Sequence, residues 1–162
     1  MITQQILQDL FIYDNGNLLW KNSQRKNTVK ANSIAGNLGQ NGYYRTSVKG
    51  KLIYNHRAIF LFHHGYLPKF LDHINGIKTD NRIENLREAT YQQNNENKAM
   101  QKNNKSGCRC VFWHKTTNLW VVLIRKNNKQ HSFGYYKNYD EACLIANQKR
   151  KELHGEFYRG LS

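Results

Sequence analysis

The sequence lacks the features of membrane and secreted proteins. No apolar run approaches the roughly 18 residues that a membrane helix needs, and MITQQILQDL has neither the basic start nor the apolar core of a signal peptide. Cysteines are few and odd in number, at positions 108, 110 and 143, which argues against a disulfide framework and fits a reducing compartment. Cys108, Cys110 and His114 lack a fourth ligand and the spacing of a zinc knuckle. We therefore expect buried thiols and a cytoplasmic protein.

Acidic residues are also scarce. The 162 residues include 11 Asp and Glu against 25 Lys and Arg, a formal charge of +14. So basic a chain attracts polyanions, because each Lys or Arg that meets a phosphate releases condensed counterions. An anionic membrane is the competing partner, but no basic amphipathic helix with a broad apolar face supports it. We predict a nucleic-acid partner and no membrane.

The first part of the chain is predicted to combine a short helix, hairpins and a second helix. Apolar residues within 2–10 have helical spacing, and the pair Asn15-Gly16 between apolar stretches is typical of a hairpin. An alternating run at 44–54 indicates a strand. Residues 55–64 read as a helix that Pro68, the only proline, ends.

The second part predicts a separate module after a polar linker at residues 98–107. Three short strands are indicated at 108–113, 119–125 and 130–136, followed by a helix over 139–154. One amphipathic helix over three strands makes a two-layer unit. We thus expect an α+β protein with a first domain at 1–97 and a second at 108–162.

Polar side chains that suit phosphodiester hydrolysis are concentrated at residues 71–97. Asp72 offers a carboxylate to a divalent ion, His73 offers a base with a pKa near neutral, and Asn94 offers a hard amide oxygen. Asn85 lies in the loop return, where its side chain can hydrogen-bond backbone groups and hold the loop. The alternative without a function is that Asp72 and His73 form a salt-bridged pair on the surface.

The motifs HR at 56–57, DHINGIKTDNRIENLR at 72–87 and QNNEN at 93–97 together resemble the HNH endonucleases of phages and mobile introns. The resemblance implies a ββα-metal fold and cleavage that leaves 5′-phosphate and 3′-hydroxyl ends. It implies His73 as general base, Asp72 as metal ligand and Asn85 as the loop-fixing member of the catalytic set. Asn94 stands where many members have His, and Asn95 and Asn97 are alternatives for that second ligand. The implied ion is Mg²⁺, with Mn²⁺ as substitute.

The segment from Ser106 to Phe157 resembles APETALA2-type DNA-binding domains, which place a three-stranded sheet in the major groove. Cys110 replaces the usual glycine after the arginine of the first strand. The resemblance and strand parity imply that one face of the sheet meets DNA. The candidates are Arg109, His114, Lys115, Leu123 and Arg125.

In the first domain, basic side chains near the site are further candidates for DNA phosphates. Arg82 and Arg87 flank the loop of the site, where they would either hold phosphates or simply be charged surface residues. His56 and Arg57 follow the alternating run and could also contact phosphate. Arg57 reads equally well as a positioning residue.

These observations predict a homing-type endonuclease from a phage or similar element, acting on double-stranded DNA in the host cytoplasm. It would be a monomer that nicks or a homodimer that cuts both strands. A DNA-binding regulator with an inactive site is the main alternative, and an RNA-binding or RNA-cleaving protein is the third.

Overall fold

The structure is a computed structural model that describes residues 1–23, 29–96, 104–127, 129–158 and 160. The chain divides into two compact units, Met1–Thr90 and Tyr91–Ser162. Each unit mixes helices and strands, so the predicted α+β class is confirmed. The predicted domain limits differ from this division in one respect, because the segment after Thr90 is counted with the second unit.

The first unit opens with helix α1 (Gln4–Leu10) and the hairpin of β1 (Phe11–Asp14) and β2 (Asn17–Trp20). The hairpin turns at Asn15 and Gly16, both at positive φ, as a two-residue turn requires. Gly16 also lies against the backbone of Asn81 and Arg82. A Cβ on Gly16 would stand 2.8 Å from the backbone nitrogen of Arg82.

A three-stranded antiparallel sheet follows, formed by β3 (Asn37–Leu38), β4 (Tyr44–Val48) and β5 (Lys51–Tyr54). The alternating run at 44–54 forms two strands, which the loop signal of Gly50 divides. Lys49 and Gly50 both adopt positive φ and reverse the chain there.

Helix α2 (Asn55–His64) has the predicted bounds, but the predicted reason for its end was wrong. Gly65 ends it in the left-handed conformation at φ 77°, with its N–H bonded to the Leu61 carbonyl at 3.0 Å. Pro68 lies beyond that cap.

Strand β6 (Phe70–His73) pairs antiparallel with β7 (Leu86–Ala89). A loop and the 3-10 turn Ile83–Asn85 connect them. Buried side chains from α1, β1, β2, α2 and both of these strands form one core, to which Leu7, Phe11, Leu18, Ile59, Leu71 and Leu86 belong. The paired strands therefore rest on a packed base.

The second unit contains helix α3 (Tyr91–Glu96) and a sheet of β8 (Val111–His114), β9 (Leu119–Lys126) and β10 (Lys129–Tyr136), backed by helix α4 (Tyr139–His154). The strand order is β10-β9-β8 and all pairs are antiparallel, so the predicted three-stranded sheet is confirmed. Its small core joins the inward strand residues to Ala142 and Ala146 of α4.

Helix α4 also has its predicted bounds, whereas the first strand begins later than expected. The Asn138 side chain caps α4 by accepting a hydrogen bond from the Glu141 N–H at 3.1 Å. Residues 108–110 are not part of β8, because Cys110 adopts the left-handed conformation at φ 65°. Of the predicted linker, residues 98–103 lie outside the described part of the chain.

Candidate active site

Strand β6 carries Asp72 and His73 at its carboxyl end, opposite Arg87 and Leu86 of β7. Adjacent strand residues ordinarily point to opposite faces. The chain turns directly after His73, whose carbonyl accepts a hydrogen bond from the Gly76 N–H at 2.8 Å. Both Asp72 and His73 are buried, which contradicts the surface-pair interpretation.

Asp72 forms a buried ion pair with Arg87. The guanidinium donates from Nε and Nη2 to Oδ2 of the carboxylate, at 3.1 and 3.0 Å. The side chains are only 7% and 14% exposed, so neither charge is well solvated and each balances the other. Arg87 was predicted to contact DNA phosphate, and any such contact would compete with this pair.

His73 is 5% exposed, and its Nε2 lies 3.1 Å from Oδ1 of the buried Asn81. Because an amide oxygen only accepts hydrogen bonds, Nε2 carries the proton and the basic lone pair is on Nδ1. Burial lowers the pKa of His73 below 6.5, against the upward effects of the Asn81 hydrogen bond and the Asp72 and Asp80 charges. A neutral imidazole of fixed tautomer is the state that a general base requires.

Asn81 therefore acts as a positioning residue, and the sequence analysis missed it. Replacing it with leucine is expected to slow single-turnover cleavage by about 10–100-fold, the usual range when a partner that orients an imidazole is lost. Asn81→Asp retains an acceptor oxygen and should restore most of the rate. Nitrogen NMR of His73 should show the Nε2–H tautomer in the wild type and a mixture in Asn81→Leu. Unchanged rate and tautomer in Asn81→Leu would contradict this role.

His56, from the first turn of α2, packs beside the proposed base. It is 8% exposed, and its ring centroid lies 5.1 Å from that of His73 and 5.6 Å from the stacked ring of Tyr54. Tyr43 contacts both histidines. Burial lowers the pKa of His56 from 6.5 to about 3, and the charges of His73 and Arg57 act in the same direction.

His56 Nδ1 is buried and has no hydrogen-bond partner among the residues that the structure describes. The motif HR had drawn attention to this residue only as a phosphate contact. Its burial and its ring contact now place it in the packing around His73.

Asn85 ties the two ends of the site loop together. Its Nδ2 donates to the Asp80 carbonyl at 2.7 Å and to Asn75 Oδ1 at 3.1 Å, and its Oδ1 accepts from the Asn75 N–H at 3.0 Å. These bonds are made to backbone and amide groups of the loop itself. The side chain thus holds the loop that brings Asn81 to His73.

Two further contacts anchor this loop to the rest of the unit. Lys78 donates to the Asn41 carbonyl at 3.0 Å and lies over the Tyr43 ring, and the Ile83 N–H donates to the Tyr13 hydroxyl at 3.1 Å. The hairpin of β1 and β2 and the loop before β4 both contribute. The N-terminal strands therefore position the site, a role that their sequence did not indicate.

The other two arginines predicted to meet phosphate also have partners. Arg82 forms an ion pair with Asp80 at 2.7 Å, and hydrogen bonds from Arg82, more than any other influence, lower the pKa of Asp80 to about 2. Arg57 donates from Nη2 to the Pro68 carbonyl at 3.1 Å. That contact agrees with the positioning role considered for Arg57.

Within the described ranges, no group of three or more His, Cys, Asp and Glu side chains could hold a metal ion. Mg²⁺ does not require such a group, because it keeps several waters and is often held by one or two carboxylates. Asp72 supplies a carboxylate of the right chemistry. Asn94 and Asn95 lie on α3 in the second unit, and Asn97 is outside the described residues, so the second ligand stays a prediction.

The outward face of the second unit's sheet carries most of the predicted DNA-contacting residues. The register Phe112↔Val121 and His114↔Leu119 places His114 on the same face as Leu123 and Arg125 of β9. Arg109 and Lys115 immediately flank β8.

One row of this outward face is aromatic. Phe112 and Tyr135 are exposed and stand on either side of the buried Val121.

The family model "HNH endonuclease" matches residues 54–96, which include α2, β6, β7 and α3. Protein 3.8 of Escherichia phage T7 is 33% identical over 97 residues, which cover 59% of this chain and 79% of that protein. An uncharacterized HNH endonuclease of Acanthamoeba polyphaga mimivirus is 35% identical over 123 residues, 74% of this chain and 63% of that protein, so less than two thirds of its length is spanned.

No solved structure matches the chain significantly. In the described part of the chain, no helix has the length and apolarity needed to cross a membrane.

Proposed function

Because this chain belongs to the HNH endonuclease family and is therefore a nuclease, we propose that it hydrolyses phosphodiester bonds of double-stranded DNA with a divalent ion, Mg²⁺ or Mn²⁺. The observation that carries the proposal is the buried Asp72–His73 pair, with Arg87 on the carboxylate and Asn81 on the imidazole. The order of β6, β7 and α3 along the chain supports the proposed ββα-metal fold.

His73 performs the proton transfer. Its Nδ1 lone pair takes a proton from the attacking water, and the water oxygen bonds to phosphorus as the bond from phosphorus to the 3′ oxygen breaks. The leaving 3′ oxygen takes a proton from a second water. The products are a 5′-phosphate and a 3′-hydroxyl. Asp72 and Asn94 would hold the divalent ion, which supplies positive charge against the phosphate and the leaving oxygen. Asn81 and Asn85 keep His73 in place.

The second unit is the proposed DNA-gripping module, of APETALA2 type. The outward sheet face holds His114, Leu123 and Arg125, with Arg109 and Lys115 beside it. A strand arginine in the major groove can read guanine, whereas lysine more often grips phosphate. We also propose a homing-type enzyme that acts in a host cytoplasm, nicking as a monomer or cutting both strands as a homodimer. The phage and mimivirus relatives support a viral origin.

The experiment that tests this function is incubation of supercoiled plasmid with the protein in Mg²⁺, in Mn²⁺ and in EDTA. We expect relaxed or linear DNA in either metal and intact plasmid in EDTA. Tight, salt-sensitive binding without cleavage on phage and host DNA would instead indicate a regulator. Competition with structured RNA tests the third alternative, since A-form RNA offers a sheet no readable major groove.

A further inference from the structure

A long part of the first unit is basic without a single acidic residue. Residues 15–71 contain no Asp or Glu, whereas nine of the chain's 25 Lys and Arg lie among them. The interval ends at Asp72, the proposed metal ligand. Charge of one sign over so much sequence creates a positive potential around whichever surface displays it.

The sheet of β3, β4 and β5 displays part of that charge on one face. The register places Asn37, Arg45 and Tyr54 in one row across the three strands, with Ser47 opposite Leu52 in the next row. Between them on β4, Thr46 is buried on the opposite face. Arg45, Leu52 and Tyr54 are exposed. The five residues Asn37, Arg45, Ser47, Leu52 and Tyr54, together with the exposed Lys49 and Lys51 of the adjoining hairpin tip, are called the β3–β5 face. Lys51 pairs with Val48, so it reaches this surface only from the tip at the end of the sheet.

The basic residues of the β3–β5 face have no acidic partners. Among the ion pairs of the described residues, none involves Arg45, Lys49 or Lys51. All three are exposed. Arginine and lysine that are not committed to carboxylates keep their full attraction for phosphate.

The β3–β5 face runs directly into the active site. Tyr54 ends β5, its ring stacks on His56 at 5.6 Å, and His56 contacts His73 at 5.1 Å. The Tyr54 hydroxyl also accepts a hydrogen bond from Asn41 Nδ2 at 3.0 Å, so its ring is fixed at this junction. A DNA strand bound along the β3–β5 face would therefore lead toward His73, the proposed base.

We propose that the β3–β5 face holds the backbone of the DNA duplex next to the phosphate that is cut. Arg45 and the two tip lysines meet phosphates, and the Tyr54 and Leu52 side chains pack against sugars. Strand β5, from Lys51 to Tyr54, measures about 10 Å, which corresponds to about three base pairs along the duplex axis. This inference rests on the proposed function and names a second place, besides the C-terminal sheet, where the substrate is bound.

The test compares two double variants that each remove two positive charges. Lys49→Gln with Lys51→Gln alters the face, and Lys149→Gln with Lys151→Gln alters helix α4, which packs behind the other sheet. Binding to random-sequence duplex DNA is measured in EDTA across salt concentrations. For the face variant, the slope of log affinity against log salt should fall by about 1.8, and affinity at 0.15 M salt by up to about 30-fold. The α4 variant should retain the wild-type slope.

Arg45→Gln gives a second, independent measurement, with an expected slope change of about 0.9. If wild type binds and cuts DNA but both face variants keep its slope, the β3–β5 face does not bind the duplex and the proposal fails while the nuclease function stands. If wild type neither binds nor cuts DNA, the proposed function itself fails. A slope change seen with structured RNA and not with duplex DNA would also overturn the proposal.

Discussion

His73→Ala is expected to lower the single-turnover rate of DNA cleavage by about 10²–10⁴-fold, the usual contribution of a positioned general base. The imidazole is buried, its pKa is lowered, and Asn81 holds it in one tautomer, so its loss removes the positioned proton acceptor. DNA affinity in EDTA should remain close to that of the wild type, because His73 adds no positive charge at neutral pH. The measurement is cleavage of supercoiled plasmid with enzyme in excess, alongside binding to the same DNA.

The matched control is His64→Ala, which removes an exposed histidine from the end of α2. It should cut as fast as wild type. If His73→Ala also cuts at the wild-type rate, His73 is not the base. If both variants lose binding as well as cleavage, the loss reports misfolding, and circular dichroism of the two proteins will show it.

The elements that depend on local sequence could be predicted closely. Helix α2 and helix α4 have their predicted bounds, because apolar spacing and cap residues lie within each segment. The turn at Asn15-Gly16 was likewise explicit in two adjacent residues. At Lys49-Gly50 only the glycine indicated a loop, because lysine seldom adopts positive φ and alternation alone does not reveal a turn.

The contacts within the site depend on strand register and loop closure, which a single sequence does not fix. Asp72 meets Arg87 only because β6 and β7 pair in one particular register across a long loop. Arg87 therefore appeared to be a surface cation. Asn81 is one of many asparagines in the chain, and only the folded loop shows that its oxygen faces His73.

The family resemblance identified site residues that helix and strand patterns alone do not reveal, but only within the stretch of chain that it covers. It pointed to His73, Asp72 and Asn85 from motif spacing, and the family match over 54–96 covers the same stretch. It did not identify the contribution of the N-terminal strands, whose Tyr13, Gly16 and Tyr43 support the loop from outside that stretch. A site built from two parts of the chain is visible only in three dimensions.

The buried His56 makes the stability of the protein depend on acidity. Its pKa is lowered from 6.5 to about 3 in the folded chain, first by burial and then by His73 and Arg57. Tyr43 and Tyr54 pack against it from the other elements and bring no positive or negative charge at neutral pH. Below pH 6.5, His56 becomes protonated in the unfolded chain, whereas in the folded chain it stays neutral down to about pH 3. Protonation therefore favours unfolding as the pH falls.

The free energy of unfolding is expected to fall through this window by up to about 1.4 kcal/mol per pH unit from His56 alone, on the order of 5 kcal/mol in all. His56→Gln should remove that part of the slope, whatever its effect on stability at pH 7. The lowered pKa of His73 acts in the same direction and leaves a residual slope. Denaturant unfolding at successive pH values between 7 and 4 measures the difference between the two proteins. A wild-type slope in His56→Gln would mean that His56 takes up its proton as readily in the folded protein as in the unfolded chain.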